Sequence, residues 1–256
     1  MPPLAGDAKA SATVVSMHGL ANPTRFLRFA RPLTPWLLGV GLLLAGGALA
    51  WGLTQAPAER LQGETVRILY VHVPAAWLGM AGWTVIAGAS LAELVWRHPL
   101  AAIAGRAAAV PGAFFTALCL ASGSLWGRPA WGTWWEWDGR LTSMLVLLFL
   151  YLGYIALAGA AAREGASTRI PAIFGLVGVI NVPVIHYSVL WWYSIHQPPS
   201  FSLGGSAMAP EFRWPLFAST AGFTFLFAAV VLMRMRALLA EAQAEARLRR
   251  RARASD

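Results

Sequence analysis

Hydrophobic residues in this chain run on in long uninterrupted blocks. Six of them, Trp36–Leu53, Ile68–Trp96, Ala107–Leu125, Leu141–Ala162, Ile170–Trp192 and Trp214–Met233, approach the roughly 20 residues that cross a bilayer. Glu93 is the one formally charged residue inside them, and it lies near an end where its carboxylate reaches the interface. Backbone polar groups in hydrocarbon must be paired internally, so each block predicts a helix. The expected fold is all-α: a polytopic membrane protein with six transmembrane helices in one bundle and a tryptophan-rich outer loop. Residues 1–35 then form an N-terminal tail, 36–235 the membrane domain and 236–256 a basic C-terminal tail.

Composition agrees with a membrane chain. Hydrophobic residues make up 57% and charged residues 12%, against about 25% charged in soluble domains. With the N-terminus placed inside, fifteen of the twenty Lys and Arg fall on inner segments; Arg60, Arg67, Arg128, Arg140 and Arg213 fall outside. That bias puts both termini in the cytoplasm. It also accounts for the net charge of +9 without nucleic acid, for which no binding motif is present. A rival reading of the first block is a secretory signal ending at Ala48-Leu49-Ala50, but cleavage there is late against the usual 15–30 residues. Ala237 to Arg253 is rich in Ala, Glu, Arg and Leu and carries a Glu245–Arg249 pair at i,i+4. It predicts a solvated continuation of the last helix, with docking of a cytoplasmic partner as the alternative. Cys119 is the single cysteine, so C-x-x-C-H haem attachment is excluded; P-loop and H-E-x-x-H motifs are missing as well.

Chemistry concentrates on the outer side. Trp126–Arg140 reads WGRPAWGTWWEWDGR, with Trp126, Trp131, Trp134, Trp135 and Trp137 in twelve positions. Indole rings anchor proteins at membrane edges, but five together make a rigid aromatic shelf for a large planar ligand or a partner's apolar face. Two histidines lie inside spans: His72 about 6 Å below the outer start of the second and His186 about 9 Å below the outer end of the fifth, at 1.5 Å per residue. Each stands near a proline, in His72-Val73-Pro74 and Pro183-Val184-Ile185-His186, tolerated where a helix borders protein or a cavity. They are either hydrogen-bonded core residues or, as ionisable groups in a membrane suggest, functional ones. Imidazoles from two helices at one depth suit the two axial positions of a haem iron. Arg128 and Arg140 flank the tryptophan loop, and Arg60 and Arg67 precede His72; guanidinium pairs well with the carboxylates of a porphyrin. The alternative for each is a surface residue paired with outer acids such as Glu136 or Asp138. His196 is expected in solvent, just beyond the fifth span.

These residues carry a resemblance. WGTWWEWDGRLTS (Trp131–Ser143) resembles the WWD segment of haem-handling proteins in cytochrome c maturation, and YVHVPAAW (Tyr70–Trp77) and NVPVIHYSVLWW (Asn181–Trp192) are similar to those of the haem exporter protein C family, CcmC. The similarity runs from about Trp36 to Met235. It implies a six-span bacterial inner-membrane protein with His72 and His186 as axial ligands of haem b. Trp131, Trp134, Trp135, Trp137 and Asp138 would form the presenting loop at the periplasmic face. It implies delivery to the haem chaperone CcmE, with CcmA, CcmB and CcmD supplying the energy-driven part of the complex. Glu136 stands where an apolar residue is expected. Two other classes stay open: an enzyme of the haem lyase type, for which 256 residues is short, and a small-solute permease, which predicts polar residues along a midplane path.

Overall fold

The computed structural model describes residues 22–197, 201–202, 205–206 and 208–255. Seven α-helices occur among them: α1 (Pro23–Thr54), α2 (Leu69–Trp96), α3 (Ala101–Trp131), α4 (Gly139–Glu164), α5 (Arg169–Gly178), α6 (Asn181–Trp191) and α7 (Pro210–Ser255). A 3-10 turn, Glu64–Ile68, leads into α2, and a hairpin of two-residue strands, β1 (Phe201–Ser202) and β2 (Gly205–Ser206), precedes α7. Counting α5 and α6 together, six helical segments have the length and apolarity to cross a membrane, with mean hydropathy from 1.5 to 2.2. The six expected spans are all present.

The helices overrun the apolar blocks. Asn22 caps α1 by accepting the Thr24 N–H at 2.8 Å, and α7 continues through the basic tail to Ser255. At its C-terminal end α3 extends to Trp131 and ends at Gly132 (φ 81). Trp126, Arg128 and Trp131 are therefore helix-borne, and the true loop is 132–138.

The fifth span is broken, where the apolar pattern predicted one helix. Pro183 has no N–H to offer the carbonyl four residues back. Around it the chain tightens into i→i−3 bonds: Val179 N to Leu176 O, Ile180 N to Val177 O and Val182 N to Val179 O. Asn181 beside the break donates its side-chain amide to Ser143 O of α4 at 2.9 Å. That bond holds α6, and with it His186, against α4.

The core is aromatic and centred on Trp83 of α2, which is fully buried. Tyr151, Tyr154 and Phe174 meet it edge to face at centroid distances of 5.0, 6.1 and 6.3 Å. The Tyr151 hydroxyl donates to Gly79 O at 2.7 Å, joining α4 to α2. On the flank α1 packs along α7, and Gly222 lets the two backbones touch: a Cβ there would overlap the backbone of Ala45. Such small-residue contacts substitute for the hydrophobic drive that lipid removes.

Candidate haem-binding face

His72 lies in the first turn of α2, against α3. Its Nδ1 is 3.1 Å from Ser122 Oγ and 3.9 Å from Cys119 Sγ. The Ser122 hydroxyl hydrogen is committed to the helix, pointing to Leu118 O at 2.6 Å. Ser122 Oγ is then an acceptor toward the ring, so Nδ1 carries the imidazole proton and Nε2 is left with its lone pair; the tautomer is assigned from this network. Orienting a ligand imidazole through its other nitrogen is the usual support of a metal-binding histidine. Trp126 packs edge-on at 5.7 Å and is itself fixed by Nε1–H donation to Gln62 Oε1 at 2.8 Å. Gly123 leaves room for the ring: a Cβ there would come within 2.9 Å of Cε1.

His186, on α6, is exposed. Its ring meets Tyr187 edge-on at 4.8 Å, and its carbonyl accepts from Arg140 Nη2 at 3.3 Å. Among the described residues the imidazole itself makes no hydrogen bond. Tyr187, Trp191 and Trp192 continue the same outer end of α6, all strongly exposed.

Between these helices stands the 132–138 loop. Trp134 and Trp137 are 56% and 72% exposed, and Trp131 is 41% exposed. Trp135 turns inward and meets Trp137 edge-on at 5.4 Å. Its Nε1–H is buried without a partner, an orphan donor of the kind that marks a ligand position. A shallow crevice too narrow to admit a water molecule runs past Gly123, Trp131, Thr133, Trp134 and Trp135. A wider groove lies at the opposite end of the bundle.

Asp138 is not presented outward with the tryptophans. It is buried and caps α4, its Oδ1 accepting the Leu141 N–H at 2.8 Å. Its Oδ2 accepts from Ser194 Oγ at 2.5 Å and lies 2.7 Å from His196 Nδ1. Burial alone would raise this carboxyl. The bonds from His196, Ser194 and the Leu141 N–H outweigh it and hold the pKa at about 2. His196, expected in solvent, is thus mostly enclosed; its ring also packs on Trp131 at 4.8 Å. One cluster ties the tryptophan loop, the end of α3 and the chain beyond α6 together.

The outer arginines divide. Arg67 is occupied, donating to Leu53 O and Ala56 O at 2.7 and 2.8 Å at the end of α1 and pairing with Glu64. Arg213 stacks over Trp214. Arg128 turns back to the Gly132 carbonyl, and Arg140 lies beside His186. Ser122, Gly123 and Ser194 carry no signal in the sequence, and His196 was expected in solvent rather than in the cluster. Small polar residues and a loop histidine carry no pattern that sets them apart until the helices bring them to the site.

Fold and site together define a polytopic helical membrane protein with one imidazole held against α3, another exposed on α6 and an aromatic shelf at the same end. The chain matches the family model described as "Heme exporter protein C" over residues 16–250. It is 48% identical over 225 residues to the heme exporter protein C of Bradyrhizobium diazoefficiens, covering 86% of this chain and 84% of that one. It is 43% identical over 220 residues to that of Escherichia coli strain K12, covering 86% and 89%, and 39% identical over 222 residues to that of Paracoccus denitrificans, covering 86% and 92%. The chain belongs to the haem exporter protein C family.

Proposed function

We propose that this protein captures haem b at the periplasmic face of the inner membrane and presents it to the chaperone CcmE for cytochrome c maturation. His72 and His186 hold the iron from its two axial sides. Trp131, Trp134, Trp135 and Trp137 offer the flat apolar surface on which the porphyrin rests, and Asp138 shapes that surface from beneath. Arg140 and Arg128 stand where propionates would leave the shelf, and Arg140 is the better placed because it already lies at His186. The cargo supplies an iron with two open axial positions; the chain supplies orientation and an apolar, partly dry environment. CcmA, CcmB and CcmD are the partners that would complete an energy-driven complex, in keeping with a chain that has no nucleotide-binding motif.

The observation that carries this reading is the His72 network. Ser122, locked by Leu118 O, holds the Nδ1 proton and leaves Nε2 as a lone-pair donor, which a merely structural histidine does not require. Its test is the absorption spectrum of protein purified in detergent. The wild type should show a six-coordinate bis-histidine haem spectrum; His72→Ala and His186→Ala should each lose the six-coordinate pattern and most of the haem. An unchanged spectrum in both single variants overturns the assignment.

A further inference from the structure

A half-open cavity of about 470 Å³ lies at the end of the bundle away from the histidines. Along α2 it lies at Glu93, 21 residues from His72, or about 30 Å at 1.5 Å per residue. Alanines of α3 and α4, including Ala102, Ala158 and Ala161, give it an apolar wall, and Tyr154 lies between them. The other wall is the stretch of α7 beyond the last apolar block, which supplies Glu241 and Glu245. This part of the basic tail is exposed and also forms one side of the groove.

The charges lining that groove do not neutralise one another. Glu93 accepts a hydrogen bond from the Thr168 hydroxyl, and Glu245 pairs with Arg249 on its own helix. Arg106, Arg163 and Glu241 form no ion pair among the described residues. Arg106 is half-buried and Arg163 and Glu241 are exposed, so each can reach a ligand lying in the groove. A volume of this size is within the ~300–1,000 Å³ of ligand pockets.

We propose that this cavity binds the headgroup of a zwitterionic phospholipid, its phosphate between Arg106 and Arg163 and its ammonium toward Glu241 and Glu93. Guanidinium is suited to phosphate; basic pockets between membrane helices receive anionic headgroups, and the carboxylates of this lining, Glu93, Glu241 and Glu245, favour a headgroup that also carries a cation. A ligand with negative charge alone, free phosphate or a porphyrin with its propionates, would leave the acids uncompensated. A ligand with no apolar part would leave the alanine wall bare. The zwitterionic amphiphile satisfies all three. The site stands independently of haem binding; only the leaflet that supplies the lipid depends on the orientation given above.

The test is native mass spectrometry of the full chain released from detergent micelles, with phosphatidylethanolamine, phosphatidylglycerol and inorganic phosphate as probes. Wild-type protein should retain one phosphatidylethanolamine, and phosphatidylglycerol about tenfold more weakly, a difference of ~1.4 kcal/mol. The pair Arg106→Ala and Arg163→Ala should lose both lipids. Glu241→Gln should keep a lipid but lose the preference for phosphatidylethanolamine. Ala162→Leu narrows the cavity without touching charge and should also release the lipid, which guards against a charge variant that merely misfolds. Equal retention of the two lipids by wild type, retention in the double arginine variant, or wild-type retention in Ala162→Leu overturns the proposal. Displacement of the lipid by inorganic phosphate would make this an anion site and overturn it as well.

Discussion

At the scale of single residues, the histidine site depends on neighbours too small to be noticed alone. Gly123 faces the His72 ring so closely that one added methyl must push it aside. Gly123→Ala should therefore leave the protein folded yet shift the haem spectrum toward a five-coordinate form, read by optical absorption; an unaltered spectrum would show the ring has slack. The Asp138 cluster makes a different prediction. His196→Ala removes one partner of a buried carboxylate, a loss of about 1–3 kcal/mol, and should raise hydrogen exchange across residues 132–138 even without haem. Exchange at the wild-type rate would mean the loop holds without His196. The pH dependence follows from the depressed Asp138 carboxyl, about 2 against an ordinary 3.8. A lowered pKa contributes stability that is complete above the unfolded value and is lost as pH falls through the folded one. Loop protection should stay level from neutral pH to about 4 and fall away toward 2.

At the scale of elements, the broken fifth span and the α1–α7 contact show two ways in which helices are fitted together. The break at Val179–Ile180 lets α6 take its own direction, with Asn181 bonding to Ser143 O to fix it. Asn181→Ala should cost about 1 kcal/mol of stability and loosen His186, so that haem dissociates faster while expression is kept; an unchanged off-rate would separate the break from the site. Gly222 is a packing position in the strict sense, since its neighbour is backbone and cannot rotate away. Gly222→Leu should reduce folded protein in the membrane much more than Gly39→Leu, because a side chain at Gly39 on the same helix pair meets open space. Fluorescent-fusion size-exclusion profiles would compare them. The apolar blocks made each helix legible in the sequence, but not its ends. Hydropathy stops at the membrane boundary, whereas hydrogen bonding and capping carry α3 on to Trp131 and α7 on to Ser255.

For the whole molecule, the central expectation is a division of ends: haem chemistry outside, lipid contact and the basic tail inside. Cys119 is the sole cysteine and is buried, so an introduced one reports cleanly. Glu136→Cys, in the exposed part of the tryptophan loop, should react with a membrane-impermeant thiol reagent in intact cells, and bound haem or docked chaperone should slow it. Arg251→Cys should react after the membrane is opened. The reverse pattern would invert the topology and end the periplasmic delivery mechanism. In the same assay of haem retention, Trp134→Ala and Trp137→Ala should lose more than Trp36→Ala. All three indoles are exposed, but only the first two belong to the 132–138 loop, whose crevice reaches Gly123 beside His72.

Some of this was decided by the chain alone. Continuous apolar runs leave the backbone one way to pair in hydrocarbon, so six spans follow without knowing any contact. The distribution of Lys and Arg gives them an expected orientation, and His72, His186 and the tryptophans stand out because such residues are expensive or rare where they occur. Three motifs in order were enough to point to the family. What the chain could not reveal is which side chains meet across helices. The tautomer of His72 comes from Ser122, 50 positions away, and the enclosure of His196 comes from Asp138, 58 positions away. The cavity at the other end comes from five helices and a loop brought to one place. Hydropathy acts residue by residue and is readable in order along the sequence. Hydrogen bonds and cavities depend on distances between segments, and packing sets those distances.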